Sequence, residues 1–125
     1  MLQLDVWGER FAALQRSLGT FDVYNFDGPH SYEDQYKAIL AFAPNIKSLA
    51  EGGTVVLVDD WNAERVRRAT MAGVEDAGLI QLLAKEVFTA HRPLRDWPGE
   101  GAGQREDAPK PGWHNGAGVL VLARP

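Results

Sequence analysis

Four ionisable residues stand where open α/β folds do their chemistry. Asp27 and His30 lie in FDVYNFDGPHSYEDQ, residues 21–35, at the end of an apolar stretch. Asp59 and Asp60 lie in TVVLVDDWN, residues 54–62, at the matching place after a second apolar stretch. An imidazole with an ordinary pKa titrates near neutrality and can take a proton from a hydroxyl. Carboxylates held close together repel, and a divalent, oxygen-preferring cation such as magnesium offsets that repulsion. Such an ion holds acceptor oxygens and lowers the pKa of one of them. The residue types therefore point to proton removal from an acceptor hydroxyl. His30 is the candidate general base with Asp27 beside it, and Asp27, Asp59 and Asp60 are candidate metal ligands.

Each residue also has a plainer role. Asp27 before Gly28-Pro29 suits a turn in which the carboxylate bonds its own backbone. His30 suits a solvated turn or a helix cap, and Asp60 suits a cap. Strand alternation starts Asp59 and Asp60 on opposite sides, so only one of the pair need face a cleft. Asn62 reads as a cap before it reads as a further ligand. Trp61 and Trp113 read as core or loop anchors, and His114-Asn115 as a turn. Arg65, Arg67 and Arg68 read as a solvated face.

The elements that must carry these residues follow from periodicity. Residues 7–18 form a helix with Phe11, Leu14 and Leu18 on one face, ended by Gly19. Residues 21–26 are a strand, apolar apart from Asp22 and Asn25, which suits a position covered on both faces. Ser31 caps the next helix with Asp34 three residues on, and Tyr32, Tyr36, Ile39 and Leu40 point inward. Pro44 breaks that helix and starts a short one over 45–50. Gly52-Gly53 turns the chain into a buried strand at 54–58. Asn62 caps a helix that reaches about residue 77, with Val66, Ala69 and Val74 inward. Residues 79–88 and 116–123 are strands. Residues 92–113, rich in Pro, Gly and charge, form a long loop between them. Residues 1–5 are a short strand or a lead-in. Three strands alternating with helices imply right-handed parallel crossovers. The last strand, reached without a helix, should lie antiparallel at one edge.

Composition narrows the class. At 125 residues the chain is one domain at most, and 45 % hydrophobic with 24 % charged residues is ordinary for a globular protein. A net charge of −4 without a basic run argues against nucleic acid as the main partner. Cysteine is absent, which excludes disulfides and thiolate chemistry and suits a reducing, cytoplasmic setting. No apolar run approaches the roughly 18 residues of a membrane span. MLQLDVWGER lacks the layout of a signal peptide. No internal repeat is present.

FDGPHSYEDQ and VDDWN at this spacing, followed by VRRAT and WHNGAGVLVLAR, resemble the class I S-adenosylmethionine-dependent methyltransferases. The narrower likeness is to metal-associated small-molecule O-methyltransferases with a DG-x-H turn and a later Asp-Asp pair. It spans about residues 21–124, nearly the whole chain. The resemblance implies a Rossmann-like methyltransferase sheet of which this chain is the C-terminal half: three parallel strands and an antiparallel edge strand, flanked by helices. It implies S-adenosylmethionine as cofactor, magnesium as an associated ion, and O-methylation of a small molecule or sugar. It makes Asp27 a metal-site or acceptor-site residue.

The first half of that fold, with its Gly-rich loop and ribose-binding acidic residue, has no counterpart in this sequence. Gly99 to Gly103 spells G-x-G-x-G, but it follows Pro98 and precedes QRED, with no strand before it or helix after it. That context does not bring backbone up to a cofactor, so no cofactor-binding residue is assigned. Two other outcomes stay open: a non-catalytic module completed by a partner chain, and a metal-dependent enzyme of other chemistry on the same scaffold. The strand at residues 21–26 would be central in the intact fold. Bare here unless residues 1–5 or another chain cover it, its edge is expected to pair in a homodimer or with a partner chain.

Overall fold

The computed structural model describes residues 9–29, 31–88 and 116–125. In chain order these form α1 (Glu9–Ser17), β1 (Val23–Phe26), α2 (Tyr32–Phe42), 3-10 turns at Ala43–Asn45 and Leu49–Glu51, β2 (Thr54–Asp59), α3 (Glu64–Asp76), β3 (Ile80–Val87) and β4 (Ala117–Ala123). The expected strand at residues 1–5, the loop at 92–113 and the Gly99 to Gly103 run lie outside the described residues.

The fold is α/β, with one four-stranded mixed sheet in the order β1-β2-β4-β3. β1 and β2 are parallel; β4 is antiparallel to both of its neighbours, β2 and β3. β3 therefore runs in the same direction as β1 and β2, as the alternation of strands and helices implies. The antiparallel strand, however, is not at the edge. It fills the place between β2 and β3, and β3 takes the edge. The residue types explain the exchange. β4 reads AGVLVLA, without a charge, and every one of its residues is buried or half-buried. β3 carries Gln81, Lys85 and Glu86, and all eight of its residues are exposed. Charged side chains suit a strand to an edge, whereas an uncharged edge strand invites pairing.

The core lies between the sheet and the α2–α3 pair. Tyr24, Val56, Val58, Leu120 and Leu122 from the strands meet Ile39, Val66 and Val74 from the helices. Gly73 allows the two helices to approach, since a Cβ there would stand 2.8 Å from the Ile39 Cβ. Two polar nodes tie down the lower end of the sheet. The Thr54 hydroxyl donates to the Phe21 carbonyl at 2.6 Å and accepts from the Lys47 amide at 2.9 Å. The Asn45 amide donates to the carbonyls of Gln15 and Gly19 at 3.1 and 2.6 Å, and its oxygen accepts from the Gln15 side chain at 2.7 Å.

Several faces differ from the sequence expectation. β1 is covered on one face only: Tyr24 is buried, whereas Val23 is 56 % exposed and Asn25 is exposed. Among the described residues both helices that pack on the sheet lie on the Tyr24 side. α2 buries Gln35, Ala38 and Ile39, and Tyr32 is exposed while Tyr36 and Leu40 are half-buried. The Tyr36 hydroxyl faces outward and donates to Asp76 at 2.7 Å. α1 exposes Leu14 and Leu18 and docks through Phe11, edge-on to Phe42, and through Gln15. The helix expected at 45–50 is replaced by the two 3-10 turns, because Ile46 and Ser48 bridge to Phe21 and Arg124 instead. The Ser31 cap is as expected, with the Asp34 amide donating to its hydroxyl at 3.0 Å. Among the described residues no helix is long and apolar enough to cross a membrane.

The Tyr24 phenol donates to the Ala38 carbonyl at 3.4 Å and its ring stacks on Phe42. Burial pushes its pKa well above the ordinary value. The unfolded chain therefore loses the phenol proton first, near pH 10. Tyr24 is thus expected to contribute its full stability below about pH 10 and to lose it as the pH rises further. Urea midpoints measured from pH 8 to 11.5 should fall at the alkaline end, and less steeply in Tyr24→Phe. Equal slopes for the two proteins would contradict this.

Candidate functional site

Parallel pairing brings two strand ends to one rim. β1 and β2 run in register with Phe26 beside Val58. The next residue on each strand is an aspartate, Asp27 on one and Asp59 on the other. This is the carboxyl end of two adjacent parallel strands, where open α/β sheets bind ligands. The structure thus brings Asp27, Asp59 and Asp60 to one end of the sheet. His30, the fourth sequence candidate, lies outside the described residues, as do Trp113, His114 and Asn115.

Asp27 is exposed at the start of the β1–α2 turn. Gly28 follows, and a Cβ there would stand 2.5 Å from the tip of the Phe26 ring, which would have to move to admit it. That ring, folded back from the strand end, fixes the path of the turn.

Asp59 is the last residue of β2 and is half-buried. Asp60 is 7 % exposed and has φ of +54°, the left-handed region that few side chains enter. Its carbonyl accepts from the Ala63 amide at 2.9 Å. The left-handed step ends strand alternation and turns the chain into α3. Ala63, not Asn62, is the N-cap of that helix, and no side chain caps it. Asn62 instead lies against Gly116, where a Cβ would stand 2.4 Å from its side-chain oxygen.

Trp61 was expected only to be an anchor, and the structure shows what it anchors. It is 2 % exposed. Its six-membered ring lies against Gly118 of β4, where a Cβ would stand 2.4 to 2.8 Å from three ring atoms. The indole Nε1–H donates to Glu86 of β3 at 2.9 Å, and the Trp61 amide donates to the Gly116 carbonyl at 3.4 Å. Arg67 was read as part of a solvated face but is half-buried. It donates to the Trp61 carbonyl at 2.5 Å and sits 5.2 Å from the centroid of the Phe88 ring. The turn that carries Asp59 and Asp60 is thereby fastened to β3, β4 and α3. The glycine inside the apolar run GAGVLVLA was the readable signal, since a strand glycine marks a close approach.

Among the described residues no group of three or more His, Cys, Asp or Glu side chains is arranged to hold a metal ion. Magnesium takes one or two carboxylates and completes its shell with water and substrate oxygens. The rim carboxylates fit that mode only if an acceptor supplies further oxygens. No family model, curated protein or solved structure matches the chain.

Proposed function

We propose that this chain is the acceptor-side half of an S-adenosylmethionine-dependent methyltransferase that methylates a hydroxyl of a small molecule or sugar. The observation that carries the proposal is the rim: two adjacent parallel strands ending side by side in Asp27 and Asp59-Asp60, with β1 at the sheet edge. The residue motifs DGPH and VDDWN give it its chemistry. Asp27 orients the acceptor and His30 takes the hydroxyl proton. The Asp59-Asp60 side draws cation charge to the acceptor oxygens, with magnesium as the ion of matching preference. When bound, S-adenosylmethionine supplies the electrophilic methyl group. The residues of this chain supply position and charge, which is most of what such a transfer requires.

The described residues do not fit the cofactor itself. They contain no glycine-rich strand-to-helix turn: the β1–α2 turn has the single glycine Gly28, and the β2–α3 turn has none. On this reading the cofactor site is completed by a segment carrying a strand and a Gly-rich loop, which would extend the sheet across the β1 edge left open among the described residues.

Calorimetric titration with S-adenosylmethionine, with and without magnesium, tests the proposal. The isolated chain should give no micromolar binding. Binding should appear when a fragment containing a strand and Gly-rich loop is added. With that partner, Asp27→Asn combined with Asp59→Asn should abolish magnesium-dependent methyl transfer. Micromolar binding by the isolated chain, or full transfer by the double variant, would overturn the assignment.

A further inference from the structure

A strained backbone persists only where its surroundings over-determine it. Asp60, at φ +54°, is the one residue other than glycine with positive φ among those described. Its neighbour is held by several contacts. The Trp61 ring is pressed on Gly118, its Nε1–H is held by Glu86, its amide by Gly116 and its carbonyl by Arg67. The amide that donates to Gly116 belongs to the Asp60–Trp61 peptide, so fixing Trp61 fixes the plane that follows Asp60. With the Asp60 carbonyl already taken, the residue has little freedom to return to an extended conformation.

We propose that Trp61 is the positioning residue of the rim: anchored between Gly118 and Glu86, it holds Asp60 in the left-handed conformation and so sets where that carboxylate is presented. Glu86 acts through Trp61, from a strand that contributes no candidate ligand. The consequence for ligand binding rests on the acceptor-side assignment above; the conformational latch does not.

Solution NMR of the full chain separates the two. The readouts at Asp60 are the three-bond amide-to-Hα coupling and the Cα shift, which report φ. They are compared in the wild type, Trp61→Phe, Glu86→Ala and Glu86→Gln. Trp61→Phe keeps a ring against Gly118 but has no indole N–H. Glu86→Ala removes the acceptor, and Glu86→Gln retains one. Glu86 is exposed, so both of its variants should remain folded. Both readouts should shift in Trp61→Phe and Glu86→Ala and return to wild-type values in Glu86→Gln. Wild-type values in both Trp61→Phe and Glu86→Ala would overturn the proposal. A magnesium titration followed at the Asp59 and Asp60 carboxyl carbons should weaken about 10–100-fold in Glu86→Ala, the usual effect of losing a group that orients a ligand. If Asp60 moves in the variants but the wild type shows no magnesium-dependent shift, the latch stands and the magnesium component of the proposed function falls.

Discussion

Trp61→Ala should cost about 3–5 kcal/mol of folding stability, the range for removing a fully buried large aromatic. Strands β3 and β4 both meet this side chain, and α3 holds its backbone carbonyl, so its loss cannot be relieved by a shift of one loop. The indole fills the space over Gly118 that no side chain of β4 can occupy. Its removal would leave a cavity bounded by β4, the end of β3 and the first turn of α3. It would also free Glu86 from its donor. A domain of this size has about 5–15 kcal/mol in total, so the variant would lose about a fifth of its stability or more. Urea unfolding monitored by far-ultraviolet circular dichroism would measure the change. Leu49→Ala, at a site 51 % exposed, serves as a control and should stay within about 0.5 kcal/mol of wild type. A Trp61→Ala midpoint close to that of the control would contradict the packing described.

Thr54→Val is the second large effect, because it changes chemistry and almost no volume. Thr54 is fully buried and its hydroxyl serves two backbone groups, the Phe21 carbonyl and the Lys47 amide. Valine fills the same space but leaves both half-buried backbone groups without that partner. Each buried group left without a partner costs about 1–3 kcal/mol, so the variant should lose several kcal/mol with no cavity formed. The site joins the lead-in to β1, the 46–48 segment and the start of β2, so the amide of Lys47 should lose hydrogen-exchange protection first. Thr54→Ser keeps the hydroxyl and should recover most of the loss. A Thr54→Val protein as stable as wild type would show that both groups find other partners.

Much of the element order was legible because its signals are local. Ser31 and Asp34 cap α2 through contacts three residues apart, and the β-branched run at 54–58 is typical of a buried strand. The two aspartate-bearing strand ends could be named from their positions after apolar runs. The faces were less legible. Tyr32 and Tyr36 were expected inward, but Gln35 takes the buried place, its amide nitrogen donating to Thr70 at 3.0 Å. That pairing depends on α3, 35 residues away. Val23 was expected under cover, but an apolar side chain does not reveal whether a layer exists to cover it.

The site divides in the same way. The chemistry available to the rim was set by residue type alone: Asp27, Asp59 and Asp60, with no cysteine and no cluster of cations. Tertiary structure decided how the rim is assembled and held. Parallel pairing of β1 with β2 put the two strand ends side by side. The placement of β4 between β2 and β3 brought Gly118 beneath Trp61 and set Glu86 within reach of its indole. Strand order and register are set by contacts between segments tens of residues apart, and no local pattern in the chain contains them. Capping, periodicity and residue chemistry are short-range, so the sequence determined them; the left-handed Asp60 and the clamp around Trp61 exist only once the sheet has closed over them.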